Sequence, residues 1–221
     1  MGRSGSPPAS RGSLRSASLP VVYPITDRAL AGGRSHAEIV RLLAEGGATL
    51  VQVREKGMAD RDLAAEVRRC AAVPGVRVIV NDRPDVALVA GAAGVHLGEE
   101  DLPAPDARAL LGPDAILGVS THSVAAAVAA CDLDVDYVAI GPVFETPNAA
   151  ARRDPLGVGA VAEAAARMSR PLVAIGGITL ERAAELLAAG AAAVAVISDI
   201  MAQPDIASRV RAYLRLGPPR R

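Results

Sequence analysis

Eight short apolar runs alternate with helix-period segments from residue 20 onward, and this alternation predicts an α/β fold built as a single parallel (β/α)8, or TIM, barrel. Two further observations support it. Most of the runs are apolar throughout, as in residues 76–80, which suits strands covered on both faces rather than on one. The chain also has 221 residues, enough for one sizeable core and too few for a second full domain. An open doubly wound sheet usually has fewer strands and often a glycine-rich first turn, which residues 23–26 lack.

The strands are expected to begin near Val21, Thr49, Val76, Gly94, Ile116, Tyr137, Leu172 and Ala193. Between the first two, Ser35 and Glu38 have capping-box spacing, Ile39, Leu42 and Leu43 give one apolar face, and Gly46 can end the helix. After the seventh strand, Thr179 can cap a helix carrying Ala183, Leu186 and Leu187 and closing at Gly190. Pro204 can open a last helix carrying Ile206, Val210 and Leu214. The barrel is expected over residues 19–216, with a C-terminal tail at 217–221. Residues 1–18 carry Ser, Gly, Pro and Arg but no acid, so a disordered tail is expected there. A transit peptide shares the Arg and Ser bias but needs an amphipathic pattern that this tail lacks.

Composition narrows the function classes. Basic and acidic side chains balance at 24 each, which removes the broad cationic surface used to bind nucleic acid. With one Phe, three Tyr and no Trp, there is no aromatic platform for stacking bases. No apolar run approaches the roughly 20 residues of a membrane span, and a cytoplasmic protein is expected. Cys70 and Cys131 are isolated and far apart, so neither a disulfide framework nor a zinc site is indicated. A homo-oligomer stays open, because apolar barrel exteriors and interface patches look alike in composition.

In such a barrel the chemistry sits on the loops after the strand C-terminal ends. The polar residues at those positions are Gln52, Arg54 and Lys56, then Asn81 and Asp82, then His96 with Asp101. Ser120 and His122 follow, then Thr146, the Gly176 and Gly177 pair, and Ser198. Lys56 is the only lysine in the chain, although arginine serves everywhere else, and a compact ammonium suits a diphosphate. Gln52, Arg54 and Lys56 alternate, so an extended strand end turns all three the same way. Asp82 and Asp101, on neighbouring strand ends, are candidate Mg2+ ligands, since that ion takes one or two carboxylates and fills its other positions with waters and phosphate oxygens. In isolation each has a plainer role: Asp82 as the cap of a helix starting at Arg83 and Pro84, Asp101 as the start of the turn over residues 102–105. The residues 175–179 segment puts bare backbone amides at a helix N-terminus, which with Ser198 forms a phosphate site in many barrels. His96, inside an apolar strand, reads as a satisfied core histidine. His122 could act as a base near neutral pH, but no acid is placed in sequence to orient it as in a hydrolytic triad.

Seven ordered blocks resemble the thiamin-phosphate synthase family. They are residues 52–56 (Gln-Val-Arg-Glu-Lys), Asn81 and Asp82, 94–101 (Gly-Val-His-Leu-Gly-Glu-Glu-Asp), 118–122 (Gly-Val-Ser-Thr-His), 141–144 (Gly-Pro-Val-Phe), 175–179 (Ile-Gly-Gly-Ile-Thr) and 196–198 (Val-Ile-Ser). The resemblance runs from about Tyr23 to Leu214. It implies an enzyme that joins hydroxymethylpyrimidine diphosphate to thiazole phosphate with Mg2+, releasing pyrophosphate through a dissociative substitution. By that resemblance Asp82 and Asp101 hold the metal, and Gln52, Arg54, Lys56 and Asn81 contact the pyrimidine diphosphate. Ser120 would sit by the leaving pyrophosphate with Thr146 nearby, and Gly177, Ile197 and Ser198 would hold the thiazole phosphate. Lys56, Ser120 and Arg54 are the expected catalytic residues.

The sixth loop departs from the family pattern, which reads Phe, any residue, Thr, any residue, Thr, Lys. Here it reads Phe144, Glu145, Thr146, Pro147, Asn148, Ala149, so a hydroxyl becomes an amide and a cation is lost. Arg152 and Arg153 follow and could supply the charge, while Glu99 stands where the family has Gln. The related thiazole tautomerase branch shares a histidine at the His122 position and the Phe-Glu-Thr loop, but typically lacks the two carboxylates. A synthase is therefore expected, with a tautomerase, or a non-catalytic binder of thiamin phosphates, as the alternatives.

Overall fold

The computed structural model describes residues 19–146 and 153–217. The N-terminal tail, Pro147, Asn148, Ala149 and Arg152 of the sixth loop, and residues 218–221 lie outside the described residues.

Eight parallel strands form one sheet: β1 (Val22–Pro24), β2 (Leu50–Val53), β3 (Arg77–Asn81), β4 (Gly94–Leu97), β5 (Ile116–Thr121), β6 (Tyr137–Ile140), β7 (Leu172–Ile175) and β8 (Ala193–Val196). Each begins within one residue of its expected start. β1 pairs with β8, the remaining neighbours follow in sequence order, and the Ile25 to Gln52 bridge brings β1 back to β2, closing the barrel. Between the strands run α1 (His36–Glu45), α2 (Asp60–Ala71), α3 (Pro84–Ala90), α4 (Ala104–Leu111), α5 (Val124–Ala129), α6 (Gly157–Arg167) and α7 (Leu180–Ala188). The short α8 (Ser198–Met201) and α9 (Ile206–Leu214) follow β8.

The caps explain where helices start. The Ser35 and Glu38 capping box forms as expected, and Thr179 accepts a hydrogen bond from the Arg182 amide. The last helix is opened by Asp205 rather than Pro204. The Asp205 carboxylate accepts from the Ser208 amide, a bond that a proline two positions before the helix has no means to replace.

Strand alternation sorts the core into two layers. Tyr23, Ile25, Leu50, Ile79, Ile116, Tyr137, Ala139, Val173, Ala193 and Ala195 fill the barrel interior. The intervening residues, such as Val51, Val138 and Val194, pack outward against the helices. Gly118 on β5 is required by this packing, because a Cβ there would lie 2.1 Å from Cζ of Tyr137. Cys70 is buried on α2, and that burial pushes its thiol up to about 12, so it serves as a small apolar residue. No helix among the described residues is long and apolar enough to cross a membrane.

Candidate active site

A cavity of about 420 Å³ opens at the C-terminal ends of the strands. Every residue expected to bind substrate or metal or to act in catalysis lines it. Gln52, Arg54 and Lys56 come from β2 and its loop, Asn81 and Asp82 from the end of β3, and Asp101 from the β4 loop. Ser120 comes from β5, Thr146 from the β6 loop, Gly177 from the β7 turn, and Ile197 and Ser198 from the end of β8.

Asp82 is the one non-glycine residue with positive φ among the described residues, at 64°. Its amide donates to the carbonyl of His96 at 2.8 Å, which pins the turn to β4. The plain capping role is thereby excluded: Arg83 occupies the N-cap of α3, and no side chain caps that helix. The strained backbone instead turns the Asp82 carboxylate within hydrogen-bonding reach of Asp101. Burial, then that neighbouring carboxylate, pushes Asp82 up to about 6, while Lys56 and the Asn81 side chain pull it back. Asp101 is fixed by the Gly98 amide, which donates to its Oδ2 at 2.6 Å.

The β2 loop carrying Arg54 and Lys56 is held from behind by residues that sequence reading did not single out. Glu55 accepts from the amides of Lys56 (2.8 Å) and Gly57 (3.0 Å) through Oε1. Its Oε2 meets Nε2 of His36 at 3.3 Å, and Nδ1 of His36 meets the Thr26 hydroxyl at 2.8 Å. Thr26 Oγ1 in turn accepts from the Arg54 amide at 3.1 Å. With Glu55 ionised, one proton arrangement satisfies all of these groups: His36 donates from Nε2, Thr26 donates to Nδ1, and Arg54 donates to Thr26. Burial lowers the pKa of His36, although Glu55 partly restores it. For Glu55, burial raises the pKa, but the Gly57, His36 and Lys56 hydrogen bonds outweigh it and hold the carboxyl below its ordinary range. The available signal was an acid placed between two site cations.

On the opposite rim, the β6 loop docks on the β7 turn through backbone hydrogen bonds. The amides of Val143 and Phe144 donate to the carbonyls of Ile175 (2.9 Å) and Gly176 (3.1 Å). Gly177 has φ 63°, and a Cβ there would lie 2.4 Å from the Glu145 carbonyl oxygen, so only glycine permits this approach. Arg182 stacks its guanidinium 4.5 Å from the Phe144 ring centre and donates to the Gly177 carbonyl at 2.7 Å. Arg153 does reach the cavity rim, where it pairs with Glu99 at 3.0 Å. The charge of Arg153 is therefore matched by Glu99 in this structure.

Beneath the cavity, a chain of polar groups crosses the barrel interior. The Gln52 amide nitrogen donates to the Tyr23 hydroxyl at 3.1 Å, and that hydroxyl lies 3.0 Å from the hydroxyl of Tyr137. Tyr137 continues to His96 Nδ1 at 3.0 Å, and His96 Nε2 reaches Ser120 Oγ at 2.8 Å. His96 is a satisfied buried histidine, as expected, but it also touches a site residue and lines the cavity. Burial lowers it to about 4, and burial pushes both tyrosines well above their ordinary range, so all three rings are neutral near pH 7. His122 Nδ1 meets the Gly141 carbonyl at 2.6 Å, which makes that nitrogen a donor, and the residue lines the cavity.

Comparison with known proteins agrees with this geometry. The family model for thiamine monophosphate synthase matches residues 22–200. A thiamine-phosphate synthase from Methanoculleus marisnigri is 44% identical over 193 residues, covering 86% of this chain and 92% of its own. One from Clostridium novyi is 43% identical over 188 residues, covering 84% and 92%. The solved structure of thiamine phosphate pyrophosphorylase from Pyrococcus furiosus superposes with a TM-score of 0.80 at 33% identity, over 88% of this chain and 94% of that one. By sequence, by fold and by the residues gathered at the barrel mouth, this chain belongs to the thiamine monophosphate synthase family.

Proposed function

We propose that the chain joins hydroxymethylpyrimidine diphosphate to thiazole phosphate, giving thiamine phosphate and pyrophosphate, with Mg2+ held by Asp82 and Asp101. The observation that carries this reading is the convergence of two carboxylates and the only lysine on one cavity. Two carboxylates this close resist being ionised together, and a divalent cation between them removes that cost. Among the described residues no group of three or more His, Cys, Asp or Glu converges as a metal cage. Such a sparse set suits Mg2+, which takes its remaining positions from water and phosphate. Bound there, Mg2+ would supply charge neutralisation for the departing pyrophosphate.

The side chains then divide the work. Gln52 and Asn81 orient the pyrimidine, while Arg54 and Lys56 neutralise the diphosphate. Ser120, with Thr146 across the cavity, would hydrogen-bond the leaving oxygen. The Gly177, Ile197 and Ser198 backbone and hydroxyl would seat the thiazole phosphate. In the substitution, the bond from the pyrimidine methylene to the diphosphate oxygen breaks with its electron pair leaving on pyrophosphate. The thiazole nitrogen supplies the pair for the new carbon–nitrogen bond. Positioning and charge complementarity carry most of the rate enhancement. The partners are two small phosphorylated molecules, and the reaction belongs in the cytoplasm.

One observation favours a second reading: His122, held through its Nδ1 bond to the Gly141 carbonyl, lines the cavity where an isomerising base would stand. A proton shuttle has no use for the carboxylate pair, however. Supplying both precursors with Mg2+ and following pyrophosphate and thiamine phosphate separates these readings. Turnover abolished by Asp82→Ala is the result expected of a synthase. Metal-independent isomerisation dependent on His122 would mark a tautomerase, and binding without either reaction a non-catalytic binder.

A further inference from the structure

The chain of hydrogen bonds inside the barrel has a sense that can be worked out proton by proton. With the Gln52 amide nitrogen facing Tyr23, as it does here, that nitrogen can only donate, so the Tyr23 oxygen accepts from it. Tyr23 and Tyr137 each have one hydroxyl proton, and His96, buried with a hydroxyl rather than a carboxylate at each ring nitrogen, has one N–H. If Tyr137 donated back to Tyr23, the proton of Tyr23 would have no acceptor in a side chain that is 1% exposed. If His96 donated to Tyr137, the proton of Tyr137 would be stranded in the same way. A stranded buried donor costs about 1–3 kcal/mol. One arrangement strands nothing: Gln52 donates to Tyr23, Tyr23 to Tyr137, Tyr137 to Nδ1 of His96, and Nε2–H of His96 to Ser120.

We infer that Tyr137 and His96 are positioning residues that fix Ser120 as a hydrogen-bond donor into the cavity. Ser120 Oγ is occupied as an acceptor by His96, so its own proton is left to point at an anion in the site. The inference rests on the proposed function, in which that anion is the departing pyrophosphate.

The backbone builds the chain as well as the side chains. His96 on β4 is in register with Gly118 on β5, which is in register with Tyr137 on β6. The bare Gly118 lets the Tyr137 ring lean across and stack on His96, with centroids 5.5 Å apart and planes at 17°. The Tyr23 ring meets Tyr137 edge-on at 5.8 Å and 87°, which fixes the ring from the other side. The Tyr137 ring is therefore held between the His96 ring and the edge of Tyr23. The same chain begins at Gln52, so the wall that would contact the pyrimidine and the donor that would meet the leaving group are parts of one network.

The test has two readouts on the intact protein. Long-range 1H–15N NMR of the side chain, assigned by loss of its signals in His96→Asn, reads the His96 tautomer directly and needs no turnover. The Nε2–H form is expected. The Nδ1–H form would overturn the inference, because Ser120 would then donate inward. Kinetics of Tyr137→Phe give the second readout: kcat should fall roughly 10-fold with KM within about 2-fold. In a Ser120→Ala background the same substitution should cost less than about 2-fold. An undiminished cost in that background would also overturn the inference, since Tyr137 would then act otherwise than through Ser120. If the unmodified protein releases no pyrophosphate from the two precursors, the functional reading fails, and the tautomer alone still decides the sense of the chain.

Discussion

Asp82 reaches Asp101 from a left-handed backbone, φ 64°, that no other described non-glycine residue adopts. Strain of this kind costs on the order of 1–3 kcal/mol and persists only where surrounding contacts enforce it. Here the Asp82 amide bond to the His96 carbonyl enforces it, and the result is a carboxylate pair facing the cavity.

Mg2+ should compete with a proton at this pair. The folded-state value of Asp82, about 6, lies above the ordinary 3.8. In metal-free protein its contribution to stability is full below about 3.8 and is lost as pH rises through 6. At pH 8, Mg2+ in roughly 100-fold excess over its Kd should therefore stabilise the fold by about 2.7 kcal/mol. Thermal melts should show the Mg2+-induced rise in Tm shrinking below pH 6 and absent in Asp82→Asn. A rise of equal size at pH 5 would point to a site elsewhere.

Buried His96 gives the opposite pH sign. Its folded-state value, about 4, lies below the ordinary 6.5, so the unfolded chain takes up the proton first. The stability it contributes is present above 6.5 and lost as pH falls towards 4, by up to roughly 3 kcal/mol. Denaturant unfolding at pH 7 and pH 4.5 should show a smaller acid loss for His96→Asn than for the unmodified protein. Equal losses would mean that His96 does not carry this dependence.

The His36 buttress should govern substrate affinity more than turnover. His36→Leu leaves the Thr26 hydroxyl and Glu55 without their buried partner, and the loop carrying Arg54 and Lys56 loses its rear support. The expected outcome is a KM for the pyrimidine diphosphate raised about 10-fold with kcat changed less, read by steady-state kinetics. Unchanged KM would remove His36 from the account of the loop.

Gly118→Ala should cost about 1–3 kcal/mol in urea unfolding, because its Cβ would overlap the Tyr137 ring. The cost should be subadditive with Tyr137→Leu, which removes the overlapped atoms. Full additivity would mean that the two residues do not share that space.

The barrel was legible because apolar runs alternating with helix-period segments mark parallel strands and their covering helices, and all eight strands begin within one residue of the expected starts. The cavity residues were legible because polar side chains at strand ends stand out against aliphatic strands. What stayed hidden depends on contacts between distant residues. Nothing near His36 in sequence marks it as the partner of Glu55, and nothing near Tyr137 shows that Gly118 makes room for it. In isolation, capping is the commoner role for a residue placed like Asp82, and only the structure puts Arg83 at the helix start instead. Pro204 looked like a helix opener because proline suits a first turn, but the Asp205 carboxylate won by satisfying an amide.

The central claim is tested most directly by one assay: both phosphorylated precursors with Mg2+, pyrophosphate and thiamine phosphate followed together, for the unmodified protein and for Asp82→Ala and Lys56→Ala. Equimolar formation of the two products is expected, falling by on the order of 10²-fold or more in each variant. Turnover that survives either substitution unchanged, or no pyrophosphate from the unmodified protein, would contradict it.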